Sequence, residues 1–160
     1  MAIQVGEKIP DVKLTAMIEG GMKSLTTQEI FSGKRVVLFA VPGAFTPTCS
    51  EHHLPGFIAR SDEIHGKGID TIACISVNDA FVMDAWGRDR GVGDKILMLG
   101  DGSAEFAKAI GLDFDGSGFG MGVRSQRYAA IVDDGVVKTL AVEKPMKFEV
   151  SSAEAILADL

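Results

Sequence analysis

The amino-acid sequence predicts an α/β protein whose mixed β-sheet is flanked by helices. Two short apolar runs rich in β-branched residues, Arg35 to Val41 and Asp70 to Val77, have the length and composition of buried strands. A stretch with apolar residues at helical spacing lies between them, and an Asp-Gly pair joins two further apolar runs near the C-terminus. We therefore expect a sheet that starts with parallel strands and ends with an antiparallel hairpin.

The first predicted strand ends at a Pro-Gly pair, and a helix over Leu54 to His65 follows. The order strand, helix, strand predicts two parallel strands joined by a right-handed crossover. Asn78 and Asp79 are good N-cap residues for a next helix that continues through Trp86.

Shorter elements complete the pattern. Ile96 to Leu99 is predicted as a strand, and Ser103 to Gly111 as a short helix that ends at its glycine. Tyr128 to Val132 and Val136 to Val142 flank an Asp-Asp-Gly turn, which is a strong hairpin signal. A last helix, Ala153 to Asp159, follows two capping serines. Thioredoxin-like folds have this plan, and the lack of repeats or linkers predicts one domain over residues 1–160.

Composition and charge argue against several classes of function. The formal net charge is −6, and an acidic surface repels nucleic acid and anionic lipid. No apolar run reaches the roughly 18 residues that a membrane-spanning helix needs. The first residues have neither the basic start nor the apolar core of a secretory signal. We expect a cytoplasmic protein that binds neither nucleic acid nor membrane.

Cys49 lies in the most informative segment of the chain. The stretch from Pro42 to Ser50 follows a predicted buried strand and opens a helix, so Cys49 falls in the first turn of that helix. Unpaired backbone N–H groups and the positive end of the helix dipole gather there, and both favour the nucleophilic thiolate over the thiol. The alternative is that Cys49 is one more small, buried apolar residue.

Two neighbours of Cys49 also carry predictions. Thr46 lies three residues earlier, where it is either a helix N-cap or a hydroxyl that bonds the reacting groups; one hydroxyl can do both. Cys49 with His52 and His53 has the spacing of metal ligands. A fourth ligand is not evident and a metal would block the nucleophile, so we expect no metal site.

The pattern Pro42-x-x-x-Thr46-x-x-Cys49 resembles the PxxxTxxC signature of the peroxiredoxins. The longer string VPGAFTPTCS at residues 41–50, followed by HLPGF at 53–57, resembles the type II subfamily, also called the peroxiredoxin-5 type. Further agreement at SVNDAFV (76–82), AWG (85–87) and VRSQRY (123–128) extends the resemblance over nearly the whole chain.

The resemblance implies a thiol peroxidase. In that family the peroxidatic cysteine attacks H2O2 or an alkyl hydroperoxide, becomes a sulfenic acid, and is reduced by an external thiol system without a metal or bound organic cofactor. By the resemblance Cys49 is the nucleophile. Pro42 shields the site and Thr46 bonds the peroxide. Arg127, before the last predicted hairpin, takes the place of the essential arginine.

Two arginines compete for that role. A fixed positive charge beside Cys49 would favour the thiolate, and a planar guanidinium can bond peroxide oxygens. Arg127 fits the family motif, although it could instead be an ordinary surface arginine of a strand. Arg124 lies three residues earlier, and alternation along a strand does not decide which of the two faces the site.

Cys74 has two interpretations. It is either a buried strand cysteine or a candidate resolving thiol, because some type II members have a cysteine at this spacing. A Cys49–Cys74 disulfide would require local unfolding unless the Cα atoms lie within roughly 7 Å. The animal-type members carry a further cysteine near the C-terminus, which this chain lacks. We therefore expect reduction by glutathione and glutaredoxin, with thioredoxin as the alternative.

The resemblance also implies a homodimer formed by loops near the active site, with Phe45, Phe81 and Phe119 as candidate contacts. Two other functions stay open. A thiol–disulfide oxidoreductase would use the same fold, but Thr46 stands where the second cysteine of a Cys-x-x-Cys pair would be. A non-catalytic redox sensor or holdase would share the reactive Cys49.

Overall fold

A seven-stranded mixed β-sheet forms the centre of the structure, a computed structural model that describes residues 1–160. The chain also forms a separate two-stranded sheet from its sixth and seventh strands. The strands are β1 (Lys13–Ile18), β2 (Gly21–Thr26), β3 (Arg35–Ala40), β4 (Thr71–Ser76), β5 (Leu97–Gly100), β6 (Asp113–Asp115), β7 (Val123–Ser125), β8 (Tyr128–Asp133) and β9 (Val136–Val142). The helices are α1 (Thr27–Phe31), α2 (Leu54–Ala59), α3 (Ser61–Gly66), α4 (Ala80–Arg90), α5 (Glu105–Ala109) and α6 (Ala153–Ala158).

The order of strands in the main sheet is β2-β1-β5-β4-β3-β8-β9. Strand β4 pairs in parallel with both β3 and β5, which confirms the predicted parallel start. The pairs β3–β8 and β8–β9 are antiparallel, which confirms the predicted C-terminal hairpin. The mixed α/β, thioredoxin-like plan is therefore correct.

Both faces of the central strands are buried, and this explains their continuous apolar runs. Along β3, Val37 and Phe39 belong to one apolar cluster, whereas Val36 and Leu38 belong to a second cluster. Strand residues alternate between the two faces of a sheet, so these clusters are the two layers of core that the sheet separates. Cys49 belongs to the same cluster as Phe39.

Two hairpins have turns with the same backbone. In the predicted C-terminal hairpin, Asp134 and Gly135 have φ of 48° and 79°. The N-terminal hairpin of β1 and β2, absent from the prediction, turns at Glu19 and Gly20 with φ of 52° and 80°. Positive φ at both central residues is the geometry that matches the twist of paired strands.

The predicted helix over Leu54 to His65 is not one helix. The chain is already helical at Pro47, forms a π-helical turn over Cys49–His53, and continues as α2 and α3 with a break at Arg60. The N–H of Leu54 donates to the carbonyl oxygen of Cys49, five residues back. Pro55 explains this wider turn, since it has no N–H to donate and its ring would clash with the carbonyl four residues earlier.

The start of α4 confirms one of the two predicted N-cap residues, whereas the start of α5 differs from the prediction. Asp79 alone is the N-cap of α4, where its carboxylate accepts the N–H of Val82. Helix α5 begins later than Ser103, because the carboxylate of Asp101 accepts the N–H groups of Phe106 and Ala107. Every helix of the chain is too short or too polar to cross a lipid bilayer.

Candidate active site

Cys49 lies just beyond the carboxyl end of β3, in the first turn of the helix that follows. The chain leaves the strand through Pro42 and becomes helical at Pro47, as the sequence predicts. The Cys49 side chain is buried, yet it is not surrounded by hydrocarbon alone. Its Sγ lies 3.0 Å from Nη2 of Arg127.

The sheet register brings Arg127 to this place. Tyr128, the first residue of β8, pairs with Ala40, the last residue of β3. Arg127 precedes that pair, so its side chain begins near the point where the chain leaves β3 for Cys49. The contact places a permanent positive charge and hydrogen-bond donors beside the Cys49 sulfur.

Arg124, the competing arginine, bonds to backbone instead. Its Nε donates to the carbonyl oxygen of Met121 at 2.9 Å, and its Nη1 donates to that of Val77 at 3.2 Å and that of Pro42 at 3.5 Å. Arg124 therefore joins the loop after β3 to the segment before α4. It binds the backbone of the loop that contains Pro42, and its hydrogen bonds do not include the Cys49 sulfur.

Thr46 also bonds to backbone in this structure. Its hydroxyl donates to the carbonyl oxygen of Gly43 at 2.6 Å, and its own carbonyl accepts the N–H of Ser50. The hydroxyl is thus not a side-chain N-cap, since it donates instead of accepting a backbone N–H. The hydroxyl oxygen still has lone pairs, so it can accept a hydrogen bond from a donor such as a peroxide O–H.

His53, which the sequence marks only as a candidate metal ligand, completes the site. His53 is buried, and its Nδ1 lies 2.8 Å from Nη1 of Arg127 while its Nε2 lies 2.8 Å from the carbonyl oxygen of Ser151. Burial, together with the positive charge of Arg127, lowers the pKa of His53 to about 3. The ring is therefore neutral near pH 7. It belongs to the site through its contact with Arg127.

Metal ligation finds no support in the geometry. His52 is exposed, whereas Cys49 and His53 are buried and both contact Arg127. No three His, Cys, Asp or Glu side chains of the chain are grouped as ligands. Cys49, His52 and His53 all lie in the π-helical turn over Cys49–His53, which is why they follow one another so closely in the sequence.

Glu143 holds the segment that carries Ser151. Its Oε2 accepts the N–H groups of Glu149, Val150 and Ser151 at 2.8 Å and the hydroxyl of Ser151 at 2.7 Å. Burial would raise the pKa of Glu143, but these donors outweigh it and lower the pKa. The N–H of Glu143 itself donates to the carbonyl oxygen of Arg127. No local sequence pattern reveals this pairing, because it joins a strand end to a loop.

Three further hydrogen bonds hold the segments that surround the site. The indole N–H of Trp86 donates to the hydroxyl of Ser50 at 2.9 Å, and both residues are buried. The side-chain oxygen of Asn78 accepts the N–H of Ala44 at 3.0 Å and the hydroxyl of Ser76 at 2.6 Å. Helix α4 and the segment before it thus support both sides of the turn that presents Cys49.

Cys74 lies in β4, opposite Phe39 of β3, and is buried in the same apolar cluster as Cys49. Both cysteines are free thiols. Burial, followed by the nearby Cys49, raises the pKa of Cys74 well above its usual range, so Cys74 is a protonated and weakly nucleophilic thiol.

Comparisons with known proteins decide the family. The Redoxin family model matches residues 4–157 of the chain. Peroxiredoxin-2E-2, chloroplastic, from Oryza sativa subsp. japonica is 52% identical over 163 residues, covering 99% of this chain and 72% of the relative. The chain belongs to the peroxiredoxins. The sequence-based resemblance is thereby confirmed, and this peroxiredoxin is a thiol-dependent peroxidase.

Solved structures agree with this peroxiredoxin over its full length. The structure of reduced Prx3 from Vibrio vulnificus in complex with H2O2 is 57% identical, has a TM-score of 0.95 and is matched over 98% of both chains. A structure from Burkholderia cenocepacia, described as a putative thioredoxin reductase, is 52% identical with a TM-score of 0.98 and covers 100% of this chain and 99% of that one. The fold of this peroxiredoxin is thus that of its relatives.

Proposed function

We propose that Cys49 is the peroxidatic nucleophile of this thiol peroxidase and that Arg127, Thr46 and Pro42 serve it. The supporting observation is the contact of 3.0 Å between Cys49 Sγ and Arg127 Nη2. In the proposed reaction the Cys49 thiolate bonds to the terminal oxygen of a hydroperoxide and the O–O bond breaks. Cys49 becomes a sulfenic acid, and the leaving oxygen takes a proton and departs as water or an alcohol.

Each of the other residues has one proposed task. The positive charge of Arg127 and the N–H groups that are not used by Cys49 and His53 stabilise negative charge as the O–O bond breaks. The free lone pairs of the Thr46 hydroxyl accept a hydrogen bond from the peroxide O–H. Pro42 is bound through its carbonyl oxygen by Arg124 and shields the sulfur from water. Arg124 thus contributes by holding the loop. The H2O2 complex of the Vibrio vulnificus relative supports H2O2 as one substrate.

Replacement of Cys49 by serine tests the assignment. We expect Cys49→Ser to abolish peroxide consumption and to keep the wild-type circular dichroism spectrum, because a hydroxyl of similar size fills the same space. The matched control is Cys74→Ser. A Cys49→Ser protein that still consumes peroxide would show that the nucleophile is elsewhere.

We further propose that glutathione and glutaredoxin reduce the oxidised Cys49, with thioredoxin as the alternative. Cys74 is buried in the middle of β4 and its pKa is raised, so it is a protonated thiol that would attack a Cys49 sulfenic acid poorly. We expect Cys74→Ser to retain most glutaredoxin-linked turnover. The measurement is intact mass after one equivalent of H2O2, with and without glutathione. A mixed disulfide supports the proposal, and an internal disulfide or loss of turnover in Cys74→Ser would make Cys74 the resolving thiol.

We also propose a homodimer whose contacts include Phe45, Phe81 and Phe119. These rings are 51%, 59% and 73% exposed, which is unusual for large apolar side chains. Their segments contact one another near the site, since Asn78 bonds Ala44 and Arg124 bonds both Met121 and Pro42. A second copy of the chain would cover the rings.

Cytoplasmic location and a single domain over residues 1–160 are proposals of the same kind. Both cysteines are free thiols, as expected in a reducing compartment, and one seven-stranded sheet separates the two core clusters. The rice relative is named chloroplastic, so cell fractionation with an antibody to this chain is the test of location. Recovery from an organelle or from the medium would contradict it.

A further inference from the structure

The guanidinium of Arg127 is held on two sides in the reduced protein. Its Nη2 donates to Cys49 Sγ, and its Nη1 donates to His53 Nδ1. An arginine side chain has four rotatable bonds, so one contact to a sulfur leaves the fork free to swing. Two contacts from two different nitrogens fix the plane of the guanidinium as well as its distance.

The hydrogen-bond partners decide the tautomer of His53. The carbonyl oxygen of Ser151 only accepts, so His53 Nε2 carries the proton and donates to it. His53 Nδ1 is then unprotonated and accepts the N–H of Arg127. An imidazolium would have no acceptor to offer and would repel the guanidinium. The neutral ring with this tautomer is the only form that satisfies both partners.

The surroundings of His53 hold the ring in place. Its ring centroid lies 4.9 Å from that of Phe39, 5.6 Å from that of Phe57 and 4.9 Å from that of Phe148. Phe148 also lies beneath Arg127, with 5.8 Å from the guanidinium carbon to the ring centroid. Glu143 fixes the loop that follows Phe148. The charged groups that face His53 are thus Arg127 and, from the loop side, Glu143.

We propose that His53 is a positioning residue for the peroxidase reaction: its Nδ1 holds Arg127 in the orientation that serves the Cys49 sulfur, and Glu143 fixes the Ser151 carbonyl that sets the His53 tautomer. This inference rests on the proposed roles of Cys49 and Arg127. It adds a residue that touches neither the peroxide nor the sulfur and acts only through the guanidinium.

Two replacements separate positioning from packing. His53→Phe keeps a ring among the three phenylalanines but removes both nitrogens, so Arg127 loses its second acceptor. His53→Asn is smaller and leaves a cavity, but its side-chain oxygen lies near the place of Nδ1 and can still accept from Arg127. We expect kcat/KM for H2O2 to fall about tenfold or more in His53→Phe, because Arg127 is no longer held in its orientation. We expect His53→Asn to stay within about threefold of wild type, although it is less stable.

The matched controls are His52→Phe and His52→Asn, because His52 is the exposed neighbour in the same turn. Both should leave kcat/KM unchanged. Wild-type kcat/KM in His53→Phe would overturn the proposal, and so would losses of activity in both His53 variants that follow their losses of stability. Cys49→Ser is assayed beside them: if that variant still consumes peroxide, the proposed function fails, whereas an inactive Cys49→Ser with a fully active His53→Phe refutes only the positioning role.

A measurement on the wild-type protein covers the case in which His53→Phe does not fold. The nitrogen chemical shifts of His53 in the reduced protein report its tautomer. We expect a neutral ring protonated at Nε2 at pH 7, with Nδ1 shifted as a hydrogen-bond acceptor. A ring protonated at Nδ1, or an imidazolium, would contradict the proposal.

Discussion

Burying a neutral imidazole ties the stability of the protein to pH. The pKa of His53 is about 3 in the folded chain, mainly because of burial and then because of Arg127, against an ordinary value of 6.5. Between these values the unfolded chain binds a proton that the folded chain does not, so acid favours unfolding. The destabilisation due to His53 is absent above about pH 6.5 and grows as the pH falls towards 3.

We predict that the free energy of unfolding decreases from pH 6.5 downwards and that His53→Phe removes part of this decrease. At about 1.4 kcal/mol per pKa unit, the part due to His53 is at most about 4–5 kcal/mol. Urea denaturation of both proteins at several pH values measures it. Glu143 and the other histidines are common to both proteins, so they cancel in the difference. Parallel curves would contradict a neutral, buried His53.

Glu143 adds to the same acid sensitivity at lower pH. Its pKa is lowered because its four donors outweigh the effect of burial. A lowered carboxyl pKa contributes stability above the ordinary value, and this is lost as the pH falls through the folded value. The loop that carries Phe148 and Ser151 therefore loosens in acid, when Glu143 becomes protonated. A falling pH thus weakens two interactions that hold Arg127 in place: its hydrogen bond with His53, and the loop that Glu143 fixes behind His53.

At the level of elements, the close approach of β5 to the start of α4 depends on Gly100. A Cβ built on Gly100 would lie 2.9 Å from the N of Ala80 and 2.9 Å from the carbonyl oxygen of Asn78. Both atoms belong to the backbone, so a side-chain movement cannot relieve the contact. Asn78 supports the loop beside Cys49, so this packing also positions the site.

We predict that Gly100→Ala lowers the free energy of unfolding by about 2 kcal/mol or more, through overpacking against α4. Gly66→Ala is the control, because Gly66 ends α3 with no atom within 4 Å of a built Cβ. The control should match or slightly exceed wild-type stability, since alanine favours helix more than glycine does. Thermal unfolding of both variants provides the measurement. Equal melting temperatures would show that β5 and α4 can separate at little cost.

The sequence predicts those elements that local patterns specify. Apolar runs specify β3, β4 and β8, and Asp134-Gly135 specifies the last turn. It misses the first hairpin, although Leu14 and Ala16 alternate with more exposed residues and Glu19-Gly20 turns the chain as the last hairpin does. The break of the predicted helix into a π turn depends on Pro55, whose missing N–H matters only once the helix has formed.

For the whole molecule, the site shows where prediction from sequence ends. The placement of Cys49 in the first turn of a helix is predictable, because the strand before it and the Pro-Gly pair that ends the strand have local signatures. Arg127 follows from family resemblance, and the sheet register of β3 and β8 supplies the physical reason. His53 meets Arg127 across 74 residues and Ser151 across 98 residues of chain, and no local pattern encodes such contacts.

We predict that Phe81→Asp shifts the protein from dimer to monomer at concentrations at which the wild type is dimeric. Phe81 lies in the first turn of α4, and a charge there would be desolvated in the proposed interface. Met22→Asp is the control, since Met22 is 55% exposed on β2 at the edge of the sheet. Sedimentation velocity measures both. A monomeric wild type, or a dimeric Phe81→Asp, would contradict the proposed contacts.

The hydrogen bond between Trp86 and Ser50 makes the fluorescence of Trp86 a probe of the turn that carries Cys49. Trp86 is the only tryptophan of the chain, and its indole N–H donates to the hydroxyl of Ser50, the residue that directly follows Cys49. Any rearrangement of that turn when the sulfur is oxidised will alter the polarity around a single emitting ring. We therefore expect stopped-flow tryptophan emission to follow the reaction of unlabelled protein with one equivalent of peroxide.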